Sequence, residues 1–396
     1  MVYLLIIVLI LALVIHYDIK GKTHNKVIYY NLVLVLLIFV AGLRYRLGAD
    51  TTNYLYSFYH TIPELGNLKP DLWNWDEEPL FRLINSFVKT LGGPFYIVQF
   101  IEAAFVNILL FKYIKKHSDY IFTCVFFYVI WMYTFYNMEE MRASMALVVA
   151  LFANDYVLEK KWIKSTLLFV VAGLFHKTAY VLMLASVLFF PLRKNLLNGI
   201  FFGLGAFFIG IFVQENFGDY LYLLDVSMAA TEDMAQYMKM TGQMDQEGRN
   251  LMFFFVNVLP FIVYPSFSLF YTKKYNETSK VLQVQPMIIM GIAFVAIQAS
   301  MQLAYRFVHF YAIYLIMIMA QMFIDVVRNE RSKRRGKATT WSYIKAFVLV
   351  IPLMAVLIRA QLDTYTRYYP YSSVIEKSIN YEREKEYDHA ANSNEY

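Results

Sequence analysis

Long apolar runs recur from the first residues of this chain almost to its last, and they constrain its fold more than any other feature. Residues 2–15, 27–43 and 178–192 are three examples. A helix of about 20 apolar residues spans the hydrocarbon core of a bilayer. Hydrophobic residues make up 59% of the chain and charged residues only 17%, whereas a soluble domain carries about 25% charged residues. The sequence therefore predicts an all-α, polytopic bundle of transmembrane helices.

The apolar runs predict about ten to twelve spans and leave little chain for a separate soluble domain. We expect one transmembrane domain over residues 1–375 and a charged, disordered tail over residues 376–396. Turns are expected near residues 176–177 and 300–304, because the flanking runs would otherwise form helices too long for one crossing. The predicted spans cover residues 2–17, 27–43, 94–112, 120–137, 141–158, 162–175, 178–192, 196–213, 251–271, 284–301, 305–327 and 341–359.

Basic residues are concentrated in alternate loops between these spans. Short loops rich in Lys and Arg face the cytoplasm, so both termini and the loops 44–93 and 214–250 are expected outside. This placement accounts for the formal net charge of +6 without a nucleic-acid partner. Apolar residues recur with helical spacing over residues 79–89, which predicts an amphipathic helix at the membrane surface. The basic loop residues are Lys20, Lys22, Lys26, Lys112, Lys115, Lys116, Lys160, Lys161, Lys164, Arg193, Lys194, Lys273, Lys274, Lys280, Arg328, Arg331, Lys333, Arg334, Arg335 and Lys337.

Polar groups beside a span are the main candidates for function in such a protein, and the first set follows the second predicted span. Arg44 and Arg46 leave that span, and a glycine turn leads to Asp50. Arginine offers planar, permanently charged forks of donors that suit phosphate oxygens, and Asp50 could orient an arginine or act as a base. The alternative interpretation is that both arginines snorkel to the interface in a local ion pair.

Two further sets lie beside apolar runs on the same predicted side. Glu139 and Arg142 are three residues apart and face one another on a helix, with Glu140 between them and small residues after Arg142 for close helix packing. His176 sits in a tight hairpin and can accept a proton at neutral pH. The alternatives are a capped helix start with a surface ion pair, and a histidine whose hydrogen bonds are satisfied at the interface.

A polar stripe surrounds the turn expected near residues 300–304. Its members either cluster at the outer surface or line a helix face toward the bundle interior, where they would bridge neighbouring helices. Another segment rich in arginine and tyrosine, residues 359–371, follows the last predicted span. Its aromatic residues suit either sugar stacking or the interface belt, and we favour the belt. The stripe consists of Gln298, Gln302, Tyr305, Arg306 and His309.

The stretch Gly-Leu-Arg-x-x-x-Gly-x-Asp-Thr-x-x-Tyr across residues 42–54 resembles the EpsG family of bacterial exopolysaccharide and capsule polymerases, relatives of Wzy-type O-antigen polymerases. The family often has Gln after the arginine that matches Arg142, where this chain has Ala143. Shorter matches are Glu78-Pro79-Leu80-Phe81, Met141-Arg142 with Ala146, Phe175-His176-Lys177-Thr178-Ala179, and Arg306 alone.

The resemblance implies a GT-C-like, inverting glycosyltransferase at the outer face of the bacterial inner membrane. It would join undecaprenyl-diphosphate-linked repeat units into exopolysaccharide, capsule or O-antigen. No metal or other cofactor is expected, and the expected partners are the lipid-linked glycan, membrane lipid, a chain-length regulator and export proteins. In this hypothesis Arg44, Arg46, Arg142 and Arg306 bind the diphosphate, Asp50, Glu139, Glu140 or His176 is the catalytic base, and Tyr54 and Gln302 contact sugar.

Other functions fit many of the same residues. A flippase or transporter of lipid-linked oligosaccharides would carry cationic groups along a cavity on both sides of the bilayer, whereas the candidates here favour one side. An O-antigen ligase would share nearly all these features and differ in the acceptor, and a membrane O-acyltransferase is a further alternative. A non-catalytic assembly subunit accounts least well for the arginine clusters.

Overall fold

The computed structural model describes residues 2–48, 50–68, 78–188, 258–298, 305–333 and 367–380, together with the helical residues 201, 204–205, 208–209 and 212. Twelve named α-helices, with short π- and 3-10 helices between or beside some of them, lie in this part of the chain. Apolar runs form helices because a helix pairs its backbone donors and acceptors internally, as a bilayer core requires. The helices are α1 (Val2–Leu13, continued by a π-helix over Val14–Ile19), α2 (Lys26–Gly42), α3 (Thr51–Tyr56), α4 (Pro79–Thr90), α5 (Phe95–His117), α6 (Ile121–Trp131), α7 (Met141–Leu158), α8 (Trp162–Phe175), α9 (Thr178–Leu188), α10 (Leu259–Tyr275), α11 (Gln285–Gln298) and α12 (Tyr305–Lys333).

The structure confirms the all-α, membrane-spanning fold. Four shorter apolar helices, α2, α6, α8 and α9, accompany the long ones. Together with α10, the long and short helices overlap ten of the predicted spans. The predicted span over 341–359, the loop 214–250 and most of the span over 196–213 lie outside the described residues. The segments long and apolar enough to cross a bilayer are Val2–Ile19, Phe95–His117, Met141–Leu158, Lys280–Gln298 and Arg306–Arg328.

Three of the described helices form the centre of the bundle. In the spanning windows, 94% of the residues of α12 are buried and 78% of those of α7 and of the segment that contains α11, whereas the first span has 33%, so α1 lies on the rim. The central α7 packs against α5 and α8, and α12 packs against α10 and α11. Close packing depends on small residues, as at Ala146, which is fully buried. At Gly42 an added Cβ would lie 2.5 Å from Cδ2 of Phe100, so only glycine permits this approach of α2 to α5.

The predicted turns agree with the helix ends. The break between α8 and α9 falls at residues 176–177, because α8 ends at Phe175 and α9 begins at Thr178. The chain also breaks between Gln298 and Tyr305, and the six residues between them lie outside the described part. The amphipathic segment predicted over 79–89 is the helix α4.

Loops that the charge pattern assigns to different sides lie at opposite ends of the bundle. At one end the hydroxyl of Tyr3 lies 3.6 Å from Sδ of Met138, and the Tyr3 ring packs edge-on against Tyr371. At the other end Asp18 accepts hydrogen bonds from Thr123, and its carbonyl accepts one from Arg328. We call these the site end and the basic end. Their assignment to the outer and cytoplasmic faces stays a prediction.

Candidate functional site

Gly48 and Thr51 hold the loop after α2 against the chain before α7. Gly48 has φ +98°, and an added Cβ would lie 1.9 Å from the carbonyl oxygen of Met138. Only glycine allows this conformation and this contact together. Oγ1 of Thr51 lies 2.6 Å from the Leu47 carbonyl oxygen and 3.1 Å from that of Met138. The glycine and threonine of the 42–54 stretch therefore place Asp50 beside the acidic segment that begins at Glu139.

Glu78 is the hub of the polar groups at the site end. One of its carboxylate oxygens, Oε2, lies 2.8 Å from Nη1 of Arg142, and the other, Oε1, contacts Nδ1 of His176. The Glu78 side chain is 3% exposed. Burial opposes its charge, but the contact with His176 and the charge of Arg142 outweigh burial and hold the pKa of Glu78 below its usual value. This carboxylate joins the start of α4, the first turn of α7 and the α8–α9 hairpin.

Arg142 is fixed on two sides and open on a third. Its guanidinium lies over the ring of Tyr54, with 5.3 Å between the guanidinium carbon and the ring centroid, and Nε lies 3.4 Å from the Tyr54 hydroxyl. Such cation–π contacts orient arginine without neutralising it. The Arg142 side chain is nevertheless 39% exposed. It can therefore meet an anion that approaches from outside the bundle.

The two glutamates before α7 have different partners. Glu139 forms an ion pair with Arg367, with 3.1 Å between Oε1 and Nη1. Oε2 of Glu140 lies 3.6 Å from Nδ1 of His309. Burial opposes ionisation of Glu140, but His309 outweighs it, and His176 and Arg306 add to the effect, so the pKa of Glu140 lies below its usual value.

Asp50 differs from Glu78, Glu139 and Glu140, because its carboxylate has no hydrogen-bond or ion-pair partner among the described residues. Asp50 is exposed to solvent, yet protein surrounds it on its other sides. This partial desolvation, together with repulsion by Glu139 and Glu140, raises the pKa of Asp50 to about 6 despite the opposing charges of Arg142 and Arg306. A carboxylate with that pKa is matched to accepting a proton near neutral pH.

Arg306 lies in the first turn of α12, close enough for its charge to act on both Asp50 and Glu140. Two of the four predicted arginines, Arg142 and Arg306, therefore share one site with the predicted acids. Gln302 lies outside the described residues. We call the whole set the polar cluster; it consists of Asp50, Tyr54, Glu78, Glu139, Glu140, Arg142, His176, Arg306, His309 and Arg367.

The structure does not bring Arg44 into the polar cluster. Arg44 is fully buried, Nη1 donates a hydrogen bond to the Ala41 carbonyl at 2.7 Å, and the nearest acid acting on its charge is Glu102 of α5. Because Arg44 is fully buried, the alternative interpretation that it snorkels to the membrane interface is also wrong. Arg46 is partly buried with φ +51°, and its predicted contact with diphosphate stays a prediction.

The segment 367–374, which we call the strap, covers the loop after α2. The Ser372 carbonyl accepts a hydrogen bond from the Tyr45 amide at 2.9 Å, and the Val374 amide donates to Leu43 at 2.8 Å. Tyr368 is buried, and the Tyr371 hydroxyl donates to the Val40 carbonyl at 3.0 Å. Tyr368 is therefore packed within the protein, and the interface-belt interpretation is wrong for it; Tyr371 is partly buried, and for this residue the interpretation stays a prediction.

The sequence left three members of the polar cluster without a role, namely Glu78, His309 and Arg367. Glu78 stood in the quoted match at residues 78–81, and its position before a proline that starts a helix was the signal for it. His309 stood in the polar stripe and Arg367 in the tail segment. No local sequence pattern predicts that His309 contacts Glu140 or that Arg367 contacts Glu139, because these contacts join distant parts of the chain.

A model of one protein family, described as the EpsG family, matches residues 27–373. The match begins at the start of α2 and ends in the strap, so it includes every residue of the polar cluster. Comparison with curated proteins and with solved structures gave no match to this chain.

Proposed function

This chain belongs to the EpsG family, and from that membership we propose that it is the polymerase that joins undecaprenyl-diphosphate-linked repeat units into a polysaccharide. Family membership and the apolar helices support a membrane protein with a polysaccharide-polymerase-like role. The observation that carries the finer proposal is the meeting of Arg142 and Arg306 with Asp50, whose carboxylate has no partner among the described residues, at one end of the bundle. Two cations and one available carboxylate are the groups that glycosyl transfer from a lipid diphosphate needs.

The arginines would stabilise the diphosphate leaving group. When the bond between the anomeric carbon and the phosphate oxygen breaks, negative charge builds up on the diphosphate. Guanidinium groups already oriented at that position stabilise this charge without reorganising. Arg142, exposed and fixed by Tyr54 and Glu78, would bind the diphosphate together with Arg306. Arg44, buried apart from the cluster, is left out of the proposed contact.

Asp50 would act as the general base that activates the acceptor hydroxyl. The acceptor hydroxyl oxygen attacks the anomeric carbon from the face opposite the leaving diphosphate, which inverts the configuration. The hydroxyl proton moves to the Asp50 carboxylate, and the electron pair of the broken bond leaves on undecaprenyl diphosphate. Glu139, Glu140 and His176 are each held by a partner in this structure, so they orient neighbouring groups in the proposal. Tyr54 supports Arg142 with one face of its ring, and its contact with sugar stays a prediction.

The test is glycan analysis of cells that lack the native protein and carry either the wild-type chain or Arg142→Ala. We expect long polymer with the wild type, and with R142A single lipid-linked repeats that accumulate outside the membrane. Lys115→Ala is the matched control, because Lys115 is an exposed cation at the basic end and should leave the polymer unchanged. Unchanged long polymer in R142A would remove that arginine from the site.

The same analysis separates the alternatives. If cells without the protein accumulate lipid-linked repeats on the cytoplasmic side of the membrane, the protein is a flippase. Polymer that forms normally on the lipid carrier but is not transferred to its final acceptor identifies a ligase. Both outcomes overturn the polymerase proposal.

A further inference from the structure

A polar pocket lies at the basic end, on the opposite side of the bundle from the polar cluster. Its volume is about 420 Å³, which is within the usual range for small-molecule sites. It is lined by the loop after α1, the turn between α5 and α6, the segment after α10, and α12 at Arg328. The lining residues that matter for its chemistry are Lys22, Lys26, Asp119, Asn276, Thr278 and Arg328.

The pocket lies at the level of the helix ends. The span Val2–Ile19 ends just before Lys22, and the span Phe95–His117 ends two residues before Asp119. Arg328 is the last residue of the span Arg306–Arg328. A pocket at the ends of three spans faces the layer of lipid headgroups. Its occupant can therefore be part of a membrane lipid.

Two of its cations are available to a ligand. Nε of Arg328 donates to the Asp18 carbonyl at 2.9 Å, and the guanidinium lies 5.0 Å from the ring centroid of Tyr120. These contacts hold the group in place and leave both terminal nitrogens without a partner among the described residues. Lys22 is exposed and likewise unpartnered within the described chain. Lys26 is different, because it is neutralised by Asp18 at 3.2 Å.

The opposite wall carries hydrogen-bonding groups of another kind. One carboxylate oxygen of Asp119, Oδ2, already accepts from the Ser279 hydroxyl at 3.0 Å and the Lys280 amide at 3.3 Å. The other oxygen is left for a donor. Asn276 and Thr278 lie beside it in the pocket wall. A carboxylate repels phosphate but accepts hydrogen bonds from hydroxyl groups, so this wall suits a hydroxylated headgroup.

Apolar surface adjoins the pocket on the side of α1 and α2. Ile15 is 41% exposed, and Val27 and Ile28 are 48% and 57% exposed. These residues flank Tyr17 and Lys26, which line the pocket. Acyl chains can lie along this surface while their headgroup occupies the pocket.

We propose that this pocket binds the headgroup of an anionic glycerophospholipid, with its phosphate on Lys22 and Arg328 and its headgroup hydroxyls on Asp119. Basic pockets between helices at the cytoplasmic side suit anionic headgroups, and the positive charge of this end predicts that side. The proposal does not depend on polymerase activity, so the two succeed or fail separately.

The experiment measures phosphatidylglycerol binding to the full-length chain purified in detergent, by native mass spectrometry over a lipid titration. Lys22→Gln should weaken binding about fivefold, since one surface charge contributes about 1 kcal/mol. Arg328→Gln should weaken it at least as much. Phosphatidylcholine, which has no net charge, should bind the wild type more weakly than phosphatidylglycerol. The matched control is the double variant Lys115→Gln, Lys160→Gln, which removes two exposed charges from the same end outside the pocket and should bind as the wild type does.

Three results would overturn the proposal. The control variant could lose binding as strongly as K22Q, which would mean general attraction to the basic end. Phosphatidylcholine could bind as tightly as phosphatidylglycerol. Glycerol 3-phosphate, added as a soluble competitor, could displace the lipid at equal concentration, which would identify a free phosphate compound as the occupant. Lys22 is exposed and its side chain has no partner in the part of the chain that the structure describes, so K22Q keeps the test valid if R328Q fails to fold.

Discussion

Glu78 binds Arg142 across 2.8 Å, and this ion pair ties the residue before α4 to the first turn of α7. The same carboxylate contacts His176. Glu78 therefore sets the position of the arginine that we propose meets the lipid diphosphate. In the presence of the diphosphate, Arg142 would exchange part of this ion pair for phosphate oxygens. The remaining contact with His176 would keep Glu78 in place during that exchange.

Replacing Glu78 by Gln should destabilise the protein and lower polymerisation. The amide keeps the shape of the side chain but removes the charge that both Arg142 and His176 contact. A hydrogen bond to a charged group contributes about 1.5–3 kcal/mol, and we expect the lower part of that range because the Arg142 side chain is 39% exposed. Thermal unfolding of the purified chain in detergent measures the change. The control, Glu159→Gln, breaks an exposed pair with Lys161 and should change the unfolding temperature little; an equal change in both variants contradicts the role of Glu78 as a hub.

Replacing Asp50 by Asn should remove the proposed base while leaving the fold intact. Asp50 is exposed and has no side-chain partner among the described residues, so its loss costs few contacts. General-base catalysis contributes about 10²–10⁴-fold to a rate, and we expect a loss of that size in repeat joining by purified protein. Binding of the lipid-linked repeat should stay close to that of the wild type. A D50N variant that still joins repeats at the normal rate would exclude Asp50 as the base.

Polymerisation should rise with pH through a transition near pH 6. The proposed base works in its ionised form, and the pKa of Asp50 is raised to about 6, so activity is lost as pH falls through that value. Replacing Glu139 by Gln removes a nearby negative charge, which makes ionisation of Asp50 easier. The transition should therefore move to lower pH in E139Q. Initial rates measured between about pH 4.5 and 8, a range that brackets this pKa, follow the shift.

Two further variants check the origin of that shift. Arg367→Gln frees the negative charge of Glu139 from its ion pair, so the transition should move in the opposite direction, to higher pH. Glu159→Gln removes an acid at the basic end and should leave the transition in place. If the transition stays at the same pH in all of these variants, the pH dependence of polymerisation does not come from ionisation of Asp50.

Replacing Gly48 by Ala should disrupt the site end. An added Cβ would lie 1.9 Å from the Met138 carbonyl oxygen, and φ at this position is +98°. A non-glycine residue in a disfavoured conformation costs about 1–3 kcal/mol even without a clash, and here the backbone of Met138 must also move. We expect lower thermal stability and loss of polymer. Gly66→Ala is the control, because an added Cβ there meets no atom within 4 Å; equal losses in both variants contradict the proposed close contact.

Much of the fold could be predicted from local sequence, because apolar length alone determines which segments cross a bilayer. The helices α2 and α7 begin and end within about two residues of the predicted spans, as such boundaries allow, and the hairpin at His176 was found from its polar interruption. The meeting of Asp50, Arg142 and Arg306 followed from placing their loops on one side. Charge distribution between loops therefore carries three-dimensional information in a membrane protein.

The remaining features depend on contacts between distant residues. The burial of Arg44 could not be predicted, because a polar residue at the end of a span looks the same whether it faces lipid headgroups or lies beneath another segment. The pairing of Glu139 with Arg367 joins the middle of the chain to its end. The strap itself contains no apolar run or regular spacing that would reveal its partner.

The strap has a consequence for how the protein is made. Its residues, 367–374, are synthesised more than 300 residues after the loop that follows α2, yet they form backbone hydrogen bonds with that loop. A chain still attached to the ribosome near residue 366 already has Asp50 and Arg142 but lacks the partner of Glu139. Newly synthesised chains would therefore complete the polar cluster only after the strap has been made, which comes later than all the described helices.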